Sequence, residues 1–210
     1  DTRIIYVSEK GPKDQRVKKL AIMDQDGHGT KYLTLGNELV LTPRFNPTNQ
    51  LVTYMSYFKN MPRVYLLDIE TGIQEVVGNF PGMTFAPRFS PDSQSVVMSF
   101  SDPNNAANSE IYLMDLNTRS RSRLTNDSGI DTSPSFSPNG EKIVFMIIED
   151  DGYQIQSGSI SYWDSKTGKI YPIIEDPKIV AMNPVWSNNN LIYYINFLDG
   201  SIQSAGLGNQ

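Results

Sequence analysis

The sequence predicts an all-β fold, a β-propeller of four-stranded antiparallel blades. Three landmarks recur in the same order along the 210 residues: a Pro-x-aromatic tetrad, a short β-rich run after a polar turn, and an alternating strand that ends in Asp. Self-similarity at a fixed period marks repeat architectures, in which one unit cannot bury its own faces and must stack on the next.

The tetrad is TPRF at 42–45, APRF at 86–89, SPSF at 133–136 and NPVW at 183–186. Its aromatic residues are Phe45, Phe89, Phe136 and Trp186. We read each tetrad as an innermost strand, A. The β-rich runs LVTY, SVVM, KIVF and LIYY follow as strand B, and IIYV at 4–7 is the first such run, with no tetrad before it. Strand C alternates and closes on Asp24, Asp68, Asp115 and Asp164, after which come the turns QDG, IETG, LNTR and SKTG. Carboxylates at such junctions cap turns through backbone N–H groups. The fourth strands, D, are KYLTL, QEVVG, SRLTN and IYPII. No segment keeps a 3.6-residue apolar period, so helix is not predicted.

The repeats run over 1–41, 42–85, 86–132, 133–182 and, in part, 183–210, as one propeller domain over 1–210. The strand order is B-C-D, three full A-B-C-D sets, then A, B and the tail SIQSAGLGNQ. Four to five blades are therefore encoded, as an incomplete or shortened ring. Either NPVW pairs with the N-terminal B-C-D set and leaves a surplus hairpin, or the tail belongs to a fifth blade without its outer half.

Composition narrows the function classes. Hydrophobic content of 39% and charged content of 20% suit a folded core. The net charge of −5 and the lack of a basic block argue against nucleic acid, and Arg119, Arg121 and Arg123, spaced by two, read as the solvent face of one strand. With no Cys there is no disulfide and no thiolate zinc site. No run approaches ~18 apolar residues, so no direct membrane insertion is expected. The chain starts at Asp1 and enters IIYV at once, with no signal peptide, as a mature or excised domain would.

No residue set calls for a metal or a cofactor, and no catalytic group is assigned. His28, the only histidine, lies in the turn DQDGHGT without the rigid surroundings of a catalytic imidazole. The acidic runs Glu149–Asp151 and Glu175–Asp176 read as solvated loops, and Trp163 and Trp186 as core.

The stretches VVGNFPGMTFAPRFSPDS, SPSFSPNGEKIVF and LVLTPRF, with VYLLDIETG, resemble the propeller of the TolB family. The likeness is best over about 1–145 and weakens after Met146. It implies a periplasmic protein-binding scaffold, not an enzyme. The implied partner is the peptidoglycan-associated lipoprotein, Pal, with other Tol proteins as further partners. In that family the loops before the A strands form the partner-binding face; here they are GNELVL, FPGMTF and DSGIDT. Carried over by motif, Met83, Thr84, Phe85 and Ala86 fall on this face in one blade, and Asp131 and Thr132 in the next. Arg44 and Arg88, in A strands near the axis, are placed to reach an acidic group. Two other readings stand beside this one. The first is an accessory propeller of a prolyl-oligopeptidase-like hydrolase, which needs a G-x-S-x-G domain not found in this sequence. The second is a propeller that binds a glycan or small ligand at the channel mouth.

Overall fold

Successive residues of a strand point to opposite faces of its sheet, so a strand that is apolar at every position must sit between two neighbours. The runs VVM at 96–98 and IVFMI at 143–147 are of this kind, and a computed structural model shows how. It describes residues 2–35, 38–58, 60–77, 80–105, 108–150, 155–176 and 178–207. Asp151, Gly36 and Asn37, which the sequence reading included in loops, lie outside the described residues.

Five antiparallel sheets follow one another in chain order. The first holds β1 (Arg3–Lys10), β2 (Val17–Asp24) and β3 (Lys31–Tyr32). The second holds β4 (Val40–Phe45), β5 (Leu51–Phe58), β6 (Met61–Asp68) and β7 (Gln74–Val76). The third holds β8 (Met83–Phe89), β9 (Ser95–Ser101), β10 (Glu110–Asp115) and β11 (Arg121–Arg123). The fourth holds β12 (Ile130–Phe136), β13 (Lys142–Asp150), β14 (Ile155–Asp164) and β15 (Lys169–Ile174). The fifth holds β16 (Ala181–Trp186), β17 (Leu191–Asn196) and β18 (Ile202–Gly206).

The tail is thus the C strand of a fifth sheet. The NPVW strand, β16, pairs with β17 in that sheet, which removes the alternative of four blades closed by NPVW. Three D strands, β3, β7 and β11, are shorter than the sequence reading had them, because only two or three residues of each stay in register before one further backbone bond, such as Leu124 N–H to the Ile111 carbonyl, ends the pairing; the fourth, β15, keeps all of IYPII. Glu149 lies within β13 and accepts a hydrogen bond from the Ser157 hydroxyl at 3.0 Å, so it is not a loop residue.

The core lies between sheets. Val96 and Met98 of β9 face Val64 and Leu66 of the second sheet, whereas Val97 between them faces Ile143 and Phe145 of the fourth. Val144, in turn, joins Ala181, Trp186 and Ile192 of the fifth. Leu20 of the first sheet packs on Val40, Tyr54 and Leu67 of the second. Each such side chain contributes about 1.5–3 kcal/mol by leaving water.

Polar turns close the C–D hairpins. The Asp68 and Asp115 carboxylates each accept two backbone N–H bonds, from Glu70 and Thr71 and from Asn117 and Thr118, at 2.7–2.9 Å. Asp164 does the same for Lys166 and Thr167 and also bonds Lys142. Asp24 departs from the pattern: its backbone carbonyl, not its side chain, takes the Gly27 N–H. Arg119, Arg121 and Arg123 are exposed but occupied, and only the last two lie in a strand, β11, since Arg119 stands in the turn before it. Arg119 pairs with Glu75 at 2.6 Å, and Arg121 stacks 4.1 Å above the Phe80 ring.

Phe145→Ala empties a site shared by two sheets and is expected to cost about 3–5 kcal/mol in urea unfolding. A second expectation concerns acid. Bonds from the Thr71 and Thr118 backbone hold Asp68 and Asp115 below the usual carboxylate range. Their stabilising effect is present at neutral pH and is lost as pH falls through those lowered values. Asp115→Asn should therefore lower the melting temperature at neutral pH and flatten its fall in acid, as read by thermal scans across pH.

Candidate functional site

Proline has no N–H to give to a ladder, so an A strand that contains one must break register there. All four A strands do, with shifts between Leu41 and Arg44, Phe85 and Arg88, Thr132 and Ser135, and Met182 and Val185. The residue before each proline takes up a left-handed backbone: Thr42 at φ 48°, Ala86 at 51°, Ser133 at 54° and Asn183 at 51°. Such a residue costs roughly 1–2 kcal/mol unless it is glycine. A bulge bends the strand and re-aims the side chains that follow.

Beyond the bulge, Arg44 and Arg88 hold the same strand position, where the other A strands carry Ser135 and Val185. Each guanidinium folds back to the carbonyl of the preceding proline, at 2.7 Å for Arg44 and 3.0 Å for Arg88. Among the described residues neither pairs with a carboxylate. Burial lowers both pKa values; that of Arg88 is pulled down to about 10 by burial first and by the Arg44 charge second. Both remain cationic at neutral pH, so two neighbouring A strands present charge that no described acid neutralises.

Ahead of the bulge, Met83, Phe85 and Ala86 are half-buried, whereas Thr84, Asp131 and Thr132 are buried. The Thr84 hydroxyl accepts the Val64 N–H at 2.9 Å and ties the third sheet to the second. Ser99 pairs in register with Phe85 and donates its hydroxyl to Thr132 at 3.3 Å, which brings the two segments of the expected face together.

Asp131 is unlike its neighbours. Its N–H donates to the Ser109 carbonyl at 2.7 Å, yet neither carboxylate oxygen has a hydrogen-bond partner among the described residues. Burial, then the nearby Asp127 and Glu110, push its pKa up to about 7 against the opposing pull of Thr125 and Arg123. Carboxylate oxygens of Glu110, Asp127 and Asp131 lie within 4.8 Å of one another. Glu110 is itself buried and accepts bonds from Arg123 and Thr125, both at 2.6 Å. The sequence reading named Asp131 but missed Glu110, which stands in a different strand. His28 is exposed, with its Nδ1 3.5 Å from the carboxylate of its turn neighbour Asp26.

Against known proteins, the family described as "TolB beta propeller domain" matches residues 1–203. The "Tol-Pal system protein TolB" of Pelagibacter ubique (strain HTCC1062) is 84% identical over 86 residues, which are 41% of this chain and 19% of that protein. The crystal structure of TolB from Acinetobacter baumannii superposes with a TM-score of 0.76 at 29% identity, covering 96% of this chain and 52% of that one. This chain therefore spans about half the length of that structure. A prolyl endopeptidase structure matches at 14% identity with a TM-score of 0.66, over 92% of this chain and 31% of that one, a likeness of fold alone.

Ala86 tests the bulge. Ala86→Val forces a β-branched side chain into the left-handed region and should cost about 2 kcal/mol or more. Ala86→Gly should unfold at the same denaturant concentration as the parent or a higher one.

Proposed function

The chain belongs to the TolB β-propeller family, and from that membership we propose that it is a protein-binding scaffold of the Tol–Pal system that docks Pal where its A strands begin. It acts by binding, not by catalysis, and it works in the periplasm with other Tol proteins as further partners. The observation that carries this reading is the set of half-buried apolar residues Met83, Phe85 and Ala86, beside the unneutralised Arg44 and Arg88. A few apolar anchors with arginine close by suit a recognition surface, because such residues dominate binding energy. The arginines favour an acidic group on the partner, which they attract without first breaking an ion pair.

Thr84, Asp131 and Thr132 contribute differently. Their side chains are buried between sheets and support the face from behind, where the Thr84 and Thr132 hydroxyls fix how the second, third and fourth sheets meet. The turns capped by Asp68, Asp115 and Asp164 lie at the other end of their C strands.

Titration calorimetry with purified Pal tests the proposal. Met83→Asp should weaken binding at least about tenfold, or about 1.4 kcal/mol, with the melting temperature little changed. Unchanged affinity in Met83→Asp and in Arg88→Met would move the site elsewhere.

A further inference from the structure

The third and fourth sheets meet at a place whose charge the fold does not account for. We propose that this junction is a calcium site formed by Glu110, Asp127 and Asp131, at the start of β10, in the loop after β11 and at the start of β12.

The first argument is the carboxylate itself. Asp131 is fully buried and, among the described residues, both of its side-chain oxygens lack a hydrogen-bond partner. A buried acid in that state is costly unless something pairs with it. Its oxygens share a 4.8 Å cluster with those of Glu110 and Asp127, a spacing that a cation with oxygen ligands at about 2.3–2.6 Å can bridge.

The second argument compares equivalent positions. Measured from the bulge, the position of Asp131 is taken by Val40, Thr84 and Ala181 in the other A strands, all buried and none charged. Counted back from the aspartate that ends each C strand, the position of Glu110 is Lys19, Arg63 and Ser159 elsewhere. The parallel bridges Ser109 to Ile130 and Gly158 to Val180 show that the junctions correspond. Elsewhere the junction sets a lysine, an arginine or a serine beside a neutral residue, so the pair of facing acids found here needs its own explanation.

Charge and donor chemistry select the ligand. Arg123 neutralises one of the three carboxylates through Glu110, so a divalent cation would cancel the charge of Asp127 and that of Asp131, whose carboxyl gives up any proton on binding. Every donor is a hard oxygen. The Thr125 hydroxyl lies against Glu110, and Asn108, whose amide donates to the Asp127 carbonyl at 2.7 Å, has its own side-chain oxygen buried without a partner. A set of this kind suits calcium, which takes several carboxylate and carbonyl oxygens in flexible geometry, better than a metal that needs nitrogen or sulfur. Bound there, the ion would clamp the loop after β11 to β12, directly behind Thr132.

Calcium titration of chelator-treated protein, followed by calorimetry and melting temperature, tests this. The parent protein should bind calcium and melt higher in millimolar CaCl2. Asp131→Asn should abolish that rise, and should itself melt higher than the calcium-free parent because it removes an unpaired buried charge. Asp127→Asn, at an exposed side chain, should fold normally and weaken calcium binding at least about tenfold. Asp14→Asn, an exposed control, should bind as the parent does. A parent whose melting is indifferent to calcium, or an Asp131→Asn protein that keeps the full rise, overturns the site. Should Asp131→Asn not fold, unchanged calcium affinity in Asp127→Asn overturns it equally.

Discussion

Each sheet of this protein has two apolar faces and too few residues to cover either alone. That constraint governs the rest. The core clusters described above are shared between consecutive sheets: the third gives Val96 and Met98 to one neighbour and Val97 to the other, and the fourth divides Phe145 and Val144 in the same way. Stability therefore resides in the junctions. A loss at one junction is felt by two sheets, as expected where units couple mainly to their nearest neighbours. The fifth sheet illustrates the converse: Val185, Tyr193, Ile195 and Ile202, which lie on its strands, are exposed.

With the strand interiors committed to packing, the strand ends are what the fold leaves free for the proposed recognition. The pre-proline bulge is the device that makes the A-strand ends different. It interrupts the ladder once per sheet, accepts a left-handed residue, and sets the side chains on either side of it to separate tasks. Ahead of the bulge, Thr84 and Thr132 join sheets by hydrogen bonds. Beyond it, Arg44 and Arg88 are left without acids among the described residues. The same framework explains why Asp131 is conspicuous: it occupies a joining position with a group that joins nothing among the described side chains.

Much of the fold was legible in the sequence. The tetrads located four A strands, the Asp-turn signals ended four C strands, and the β-rich runs such as SVVM marked the B strands between them. The last strand was not legible as such, since IQSAG alternates weakly and carries no closing Asp. The bulges escaped because the residue before proline ordinarily takes an extended conformation, and nothing in TPRF or SPSF signals the left-handed alternative. The expected face was reached through family likeness, and burial then divided its residues into presented and supporting sets. Glu110 was hidden because the acid it faces lies in the next repeat. Only alignment of the repeats position by position, against Arg63 and Ser159, would have marked it as an exception.

Hydrogen exchange on the protein alone and saturated with Pal is the most direct test of the claim that binding occurs at the A-strand starts. The account predicts slowed exchange at 83–86 and 130–133, with the turns after Asp68, Asp115 and Asp164 unchanged. Protection confined to those turns, with 83–86 and 130–133 exchanging as before, would contradict it.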